Sequence, residues 1–224
     1  MLQCGFANSV AKLRTMHKNL IPTTSHKLRN LMQTLSRNTK ETQITAKLDI
    51  YGSGKSKIHT NIGFFNHMLE AFSKHALFDL ELECKGDLEV DFHHSVEDCG
   101  IVIGKLLAQS MYPVQNIERF GNGAVAMDEA CVECDLDISN RAFLVFDTSA
   151  CEYRGKILDF DIELVEEWLR AVCFNANITA HIIIKRGKNL HHITEAIFKA
   201  FALSLRRALA QNPRVKIPST KGCL

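Results

Sequence analysis

Two copies of one short motif constrain this chain more than any other feature. His93-His94-Ser95-Val96-Glu97-Asp98 recurs 98 positions later as His191-His192-Ile193-Thr194-Glu195-Ala196, so HHxxE occurs twice within 224 residues. If each copy opens a helix, residues i and i+4 share a face, and His93 pairs with Glu97 as His191 pairs with Glu195. Each pair is then a two-ligand clip for a metal ion. The second histidine of each doublet is rotated about 100° around the axis and faces a different ion. Each helix is therefore expected to touch two metals.

Hydropathy patterning around the two motifs repeats as well. In the first half, alternation at Ile44, Ala46, Leu48 and Ile50 marks a strand, and Gly52-Ser53-Gly54 turns it into a second strand through Ile58, a hairpin. A helix with Phe64, Phe65, Met68, Leu69 and Phe72 on one face follows, then a strand over 78–84, a short strand over 88–91, and the HHSVED helix to about Met111, ended by Pro113. The second half predicts a strand over 130–138, a turn at Ser139-Asn140 and a strand over 142–146 as another hairpin, then a helix over 162–175, a strand over 178–185, and the HHITEA helix through Ala210. The reading is a duplicated α/β (α+β) unit, residues 38–120 and 121–224, each with a mixed sheet and two helices.

Composition narrows the class. At 46% hydrophobic and 23% charged, the chain reads as a soluble globular protein, without a window approaching a membrane span. Its eight cysteines are scattered, which favours reduced thiols and a cytoplasmic setting. Cys131 and Cys134 resemble a CxxC pair but stand at odd spacing in an alternating strand, so their side chains face opposite ways and hold no metal. Seven of the 27 Lys and Arg fall in the first 40 residues, which contain no acid; the remainder carries 20 basic against 25 acidic residues, which disfavours a nucleic-acid surface on the folded part. Residues 1–37 are expected to be a poorly ordered basic extension, with an organellar transit peptide as the alternative.

Two further histidines join the doublets as candidates, His67 at a helix start and His181 within a strand. Taken singly, either reads as a core histidine satisfied by a backbone carbonyl. Beside the doublets they complete sets of three imidazoles and one carboxylate, which suit Mn, Fe or Zn. Arg119, Arg141 and the segment Pro218-Ser219-Thr220-Lys221-Gly222 form a second constellation, with two guanidinium forks, hydroxyls and an ammonium of the kind a phosphate ester binds.

Several long stretches in order carry a family resemblance: Arg37-Asn38-Thr39-Lys40-Glu41-Thr42, Gly63-Phe64-Phe65-Asn66-His67-Met68-Leu69, Lys85-Gly86-Asp87, HHSVED, Met127-Asp128-Glu129-Ala130, HHITEA with Phe198-Lys199-Ala200-Phe201, and PSTKG. From about Arg37 to Leu224 the chain resembles the imidazoleglycerol-phosphate dehydratases of histidine biosynthesis. The resemblance implies helices packed between two four-stranded sheets, a homo-oligomeric shell of 24 subunits built from trimers, and two Mn²⁺ ions per active site where subunits meet. It implies one ion on His67, His94, His191 and Glu195, and another on His93, Glu97, His181 and His192.

The reaction so implied removes water from D-erythro-imidazole glycerol phosphate to give imidazole acetol phosphate, through a metal-bound imidazolate that expels the hydroxyl and leaves a diazafulvene-like intermediate. Glu41, Glu97 and Glu195 are the candidate catalytic carboxylates, with Glu41, which matches a substrate-contacting Glu of the family, set to move the carbon-bound proton. Arg119, Arg141, Ser219, Thr220 and Lys221 match its phosphate-side contacts. Two positions depart from the family pattern. Asn66 stands where Asp is usual before His67, which offers a weaker acceptor to a ligand histidine. Asn140 stands where Gly is usual and suits a left-handed turn. A metalloprotein whose ions only join subunits is the alternative of a different class.

Overall fold

The structure, a computed structural model, describes residues 32–224. Its elements in chain order are β1 (Gln33–Asn38), β2 (Thr42–Asp49), β3 (Ser56–His59), α1 (Gly63–Ala76), β4 (Asp79–Gly86), α2 (His93–Met111), β5 (Phe120–Met127), β6 (Ala130–Asp137), β7 (Phe143–Asp147), β8 (Lys156–Ile157), β9 (Phe160–Asp161), α3 (Glu163–Ala176), β10 (Thr179–Arg186) and α4 (Leu190–Ala208). Two four-stranded mixed sheets have the same plan, β1-β2-β4-β3 and β5-β6-β10-β7, and β8 with β9 forms a small separate hairpin. In each sheet the last pair is parallel and the others are antiparallel. The expected α/β duplication is therefore present in the strand order itself.

The helices lie between the sheets. Helix α2 packs on β2 and on α3, and α4 packs on β5, β6 and α1. Sheet side chains facing this layer are apolar and buried: Leu80, Leu82 and Cys84 from β4, and Ala180, Ile182 and Ile184 from β10. At its centre Trp168 stacks on Phe198 with centroids 4.6 Å apart, and Phe72 meets Trp168 at 5.5 Å. Glycines allow the closest approaches. A Cβ at Gly104 would lie 2.7 Å from the Val172 carbonyl oxygen of α3, and one at Gly121 would lie 2.0 Å from the Ser204 carbonyl oxygen of α4. Either would force apart packed backbones.

Several expectations need correction. Neither hairpin forms, because β4 inserts between β2 and β3, and β10 inserts between β6 and β7. In the first half the Gly52-Ser53-Gly54 turn instead wraps the start of β4, where the Asp79 carboxylate accepts the Ser53 and Lys55 backbone N–H groups at 2.8 and 2.9 Å. The inserted strands β4 and β10 each bury three alternate apolar side chains, whereas no side chain of β3 or β7 is fully buried, and sequence neighbours become spatial second neighbours. Residues 88–91 form no strand; the Val90 N–H donates to the Asp87 carbonyl at 2.9 Å and closes a turn.

The basic extension expected over residues 1–37 does not reach that far. Residues 33–38 are the edge strand β1, paired with β2 from Gln33↔Leu48 to Asn38↔Gln43. Only Leu35 in β1 packs on the core, so side-chain alternation is weak and the backbone ladder holds the strand. Residues 1–31, with the rest of that predicted extension, lie outside the described residues. Strand β5 was also missed, since its glycines lower strand propensity while serving the contact with α4. Among the described residues all seven cysteines are free, and no helix is long and apolar enough to cross a membrane.

Candidate active site

Both HHxxE motifs open helices. Helix α2 begins at His93 and α4 at Leu190, where the Asn189 side chain caps the helix by accepting the His191 N–H at 2.9 Å. The i, i+4 clips then form in different degrees. His191 Nε2 lies 3.2 Å from Glu195 Oε2, whereas His93 Nε2 lies 3.8 Å from Glu97 Oε2.

The second clip gains a third member from α1. His67 Nε2 is 3.4 Å from Glu195 Oε2, and the candidate ligand atoms of His67, His191 and Glu195 all lie within 4.8 Å of one another. No other such group of three His, Cys, Asp or Glu occurs among the described residues. Two imidazoles and a carboxylate converging from two helices fit a divalent first-row cation. Burial pushes the Glu195 carboxyl up, but the Lys199 ammonium at 2.6 Å and His67 outweigh it, so the group titrates below the ordinary range and stays anionic. The Phe64 ring stands edge-on to His191 at 5.2 Å and is backed by Phe160 at 5.3 Å. This aromatic wall restricts the His191 ring.

His94 is not within this group. Its Nδ1 lies 3.0 and 3.2 Å from the two Asp87 oxygens, and its Nε2 lies 3.9 Å from Glu41 Oε1. Hydrogen bonding to Asp87 raises its pKa. His192 is held in a similar way, with Nδ1 at 2.8 Å from Glu129 Oε2 and Nε2 at 3.7 Å from Asp128 Oδ2. Glu129 raises the pKa of His192 in turn, while His192 and backbone N–H groups pull the Glu129 carboxyl down to about 2. His181 lies elsewhere. Its neighbours Ala180 and Ile182 face the helices, so strand alternation puts His181 on the outer face of the second sheet, with the Phe143 ring 6.4 Å away.

The phosphate-type constellation converges in part. The Arg119 Nε and Nη2 groups donate to the two Asp137 oxygens at 2.7 and 3.1 Å, and Nη1 donates to the Pro218 carbonyl at 2.8 Å. Arg141 Nη2 reaches the same Asp137 at 3.4 Å. One carboxylate thus gathers both guanidinium groups, and Arg119 ties in the segment bearing Ser219, Thr220 and Lys221. Asp137 was missed in the sequence because it reads there as one polar position of an alternating strand. Lys199 lies in the Phe198-Lys199-Ala200-Phe201 stretch, and its i+4 spacing from Glu195 is the sequence signal for this pair.

The loop carrying Glu41 is braced from below. The buried Asp98 accepts Arg37 Nε at 3.0 Å and Nη2 at 2.8 Å, and also the hydroxyl of Thr42, next to Glu41. Asn66 does not orient His67 as expected: its Oδ1 accepts the Thr60 N–H at 3.0 Å and hydroxyl at 2.6 Å, fixing the loop into α1. Asn140 adopts the expected left-handed conformation, with φ 57°.

Comparison with known proteins identifies the family. Residues 60–205 match the family model of imidazoleglycerol-phosphate dehydratase. The dehydratase of Helicobacter hepaticus is 62% identical over 192 residues, covering 85% of this chain and 95% of that one, and that of Wolinella succinogenes is 62% identical over 193 residues, covering 86% and 100%. Among solved structures, the dehydratase of Staphylococcus aureus superposes with a TM-score of 0.73 at 39% identity, covering 81% of this chain and all of that one. The Pyrococcus furiosus enzyme superposes with a TM-score of 0.73 at 34% identity, covering 85% and 100%. The duplicated fold, the paired HHxxE helices and these relationships together place the chain in the imidazoleglycerol-phosphate dehydratase family.

Proposed function

We propose that the chain catalyses the metal-dependent dehydration of D-erythro-imidazole glycerol phosphate to imidazole acetol phosphate, a step of histidine biosynthesis. The convergence of His67, His191 and Glu195 carries this reading, since three ligand atoms within 4.8 Å of one another suit an ion. Mn²⁺ is the proposed metal, with Fe or Zn as substitutes. Bound ions would supply Lewis acidity that favours the anionic imidazole and hence loss of the hydroxyl.

The chain's own groups do the rest. His67, His191 and Glu195 hold the first ion, with His94 as the remaining proposed ligand; His93, Glu97, His181 and His192 are the proposed set for the second. Glu41, on a turn 3.9 Å from His94 Nε2 and half exposed, is the group proposed to move the carbon-bound proton. Arg141, Ser219, Thr220 and Lys221 receive the phosphate, with Arg119 holding the segment and offering its remaining N–H groups.

A single chain does not bring these parts together. The phosphate set adjoins the C-terminal end of α4, where the Arg119 N–H donates to the Ala208 carbonyl at 2.9 Å, and the HHxxE clip opens the other end. Seventeen residues of helix separate them, roughly 25 Å at 1.5 Å per residue. One imidazole ring on a three-carbon phosphate ester is too short to span that distance. His181, on the outer sheet face, is likewise turned away from the helices that bear the doublets. Each active site is therefore proposed to draw residues from neighbouring subunits of a homo-oligomer.

Stripping divalent metal from the purified protein should abolish dehydration, and Mn²⁺ should restore it; turnover that ignores divalent metal would defeat the proposal. Subunit sharing has its own test. Glu195→Gln chains and Arg141→Ala chains, each impaired alone, should regain a fraction of activity when co-assembled, and no gain would mean that every site is built from one chain.

A further inference from the structure

The two doublets share a device that neither helix supplies. In both, the first histidine faces the Glu of its own helix, while the second presents Nδ1 to a carboxylate from outside the helix. For His94 that group is Asp87, in the loop between β4 and α2, with both oxygens within 3.2 Å. For His192 it is Glu129, in the turn between β5 and β6, at 2.8 Å. These carboxylates do not occupy equivalent places in the repeat. Glu129 immediately precedes β6, and its counterpart preceding β2 is Glu41, which lies on the Nε2 side of His94 instead. Each half thus reaches the same imidazole arrangement by a different route.

The carboxylates are themselves fixed. Glu129 Oε1 accepts the backbone N–H groups of Lys188 and Asn189 at 3.1 and 2.7 Å, and Asn189 caps α4. The Asp87 backbone N–H donates to the Glu41 carbonyl at 3.1 Å, and the Asp87 carbonyl closes the turn to Val90. A carboxylate bonded to Nδ1 keeps the proton there, leaves the lone pair on Nε2 and fixes the plane of the ring.

We infer that Asp87 and Glu129 are positioning residues that set the tautomer and direction of His94 and His192, so that each offers Nε2 to a different metal ion. This rests on the metal-dependent reading above. Asp87 governs the ion of the His67, His191 and Glu195 group, through His94. Glu129 governs the other, through His192.

Mn²⁺ titration of the assembled protein by equilibrium dialysis tests this without reference to turnover. Wild-type protein should bind two Mn²⁺ per chain. Asp87→Asn should weaken one class of ion and Glu129→Gln the other, each by about 10–100-fold, the range for losing an outer partner of a ligand histidine. The Gln variant should fall toward the upper end, because its amide cannot accept the two backbone N–H groups on the side where it presents NH₂. Combining either variant with Glu195→Gln identifies the class: the Asp87 effect should vanish once that ion is lost, and the Glu129 effect should persist. Unchanged Mn²⁺ affinity in both variants, or equal loss of both classes in either, overturns the assignment. Wild-type protein that binds no Mn²⁺ would overturn the metal reading and this inference with it.

Discussion

The first and second halves have the same strand order and the same HHxxE opening, yet their clips differ. In the second half Glu195 is buried, backed by Lys199 and joined by His67. In the first half the His93 and Glu97 side chains remain 43% and 44% exposed and stand further apart. Support differs too. The first half braces its helix with the ion pair of Arg37 and Asp98, whereas the second has Ala196 at the position of Asp98 and uses the segment 148–161, where the Tyr153 hydroxyl bonds Thr194 at 2.9 Å and Phe160 packs against Phe64. A duplicated motif thus specifies which atoms are offered, and the surroundings decide how far they assemble.

The outer sheet faces diverge as well. Lys47 pairs with Glu81 at 2.8 Å on the first and Lys185 with Glu133 at 2.6 Å on the second, but only the second sets His181 beside Val145, Ile183 and Phe143. The apolar group around His181 suits contact with another copy of the chain, in line with the proposed sharing of sites.

The largest effect should separate the clips. Glu195→Gln should lower turnover by about 10²–10⁴-fold, the range for an acid–base or charge-stabilising group, while the assembly stays intact by sedimentation. Retained turnover would instead favour ions that only join subunits. Exchanging the supports tests the next difference. Ala196→Asp would bury a carboxylate without an arginine and should destabilise the fold by about 3–5 kcal/mol, measured by denaturant unfolding. Asp98→Ala should cost less, about 2–3 kcal/mol, since the orphaned Arg37 is one-third exposed and regains water. If both substitutions cost the same, the halves do not differ in support as described. The smallest effect is expected for Tyr153→Phe, which removes one neutral hydrogen bond worth about 1 kcal/mol and should lower Tm by roughly 2–4 °C. A drop well beyond that would make the segment 148–161 a main support of the second half.

Helix starts, the i, i+4 clips and the central strands were legible because their signals are local: periodicity of 3.6 or 2, a cap, a proline. Strand neighbours were not, since β4 and β10 enter between strands that are adjacent in the chain, and adjacency in sequence says little about insertion order. Leu35 alone could not announce β1, and Gly121 concealed β5 because its reason lies in the backbone of α4.

The sequence by itself determined that two histidines and two glutamates come in two matched helical clips, because helical geometry fixes what i and i+4 share. Only the tertiary structure decided that His67 completes one clip, that Asp137 gathers Arg119 and Arg141, and that Asp87 and Glu129 face Nδ1 of His94 and His192. Those partners stand up to 128 residues apart, and their meeting depends on how helices and sheets pack, which short-range periodicity does not encode.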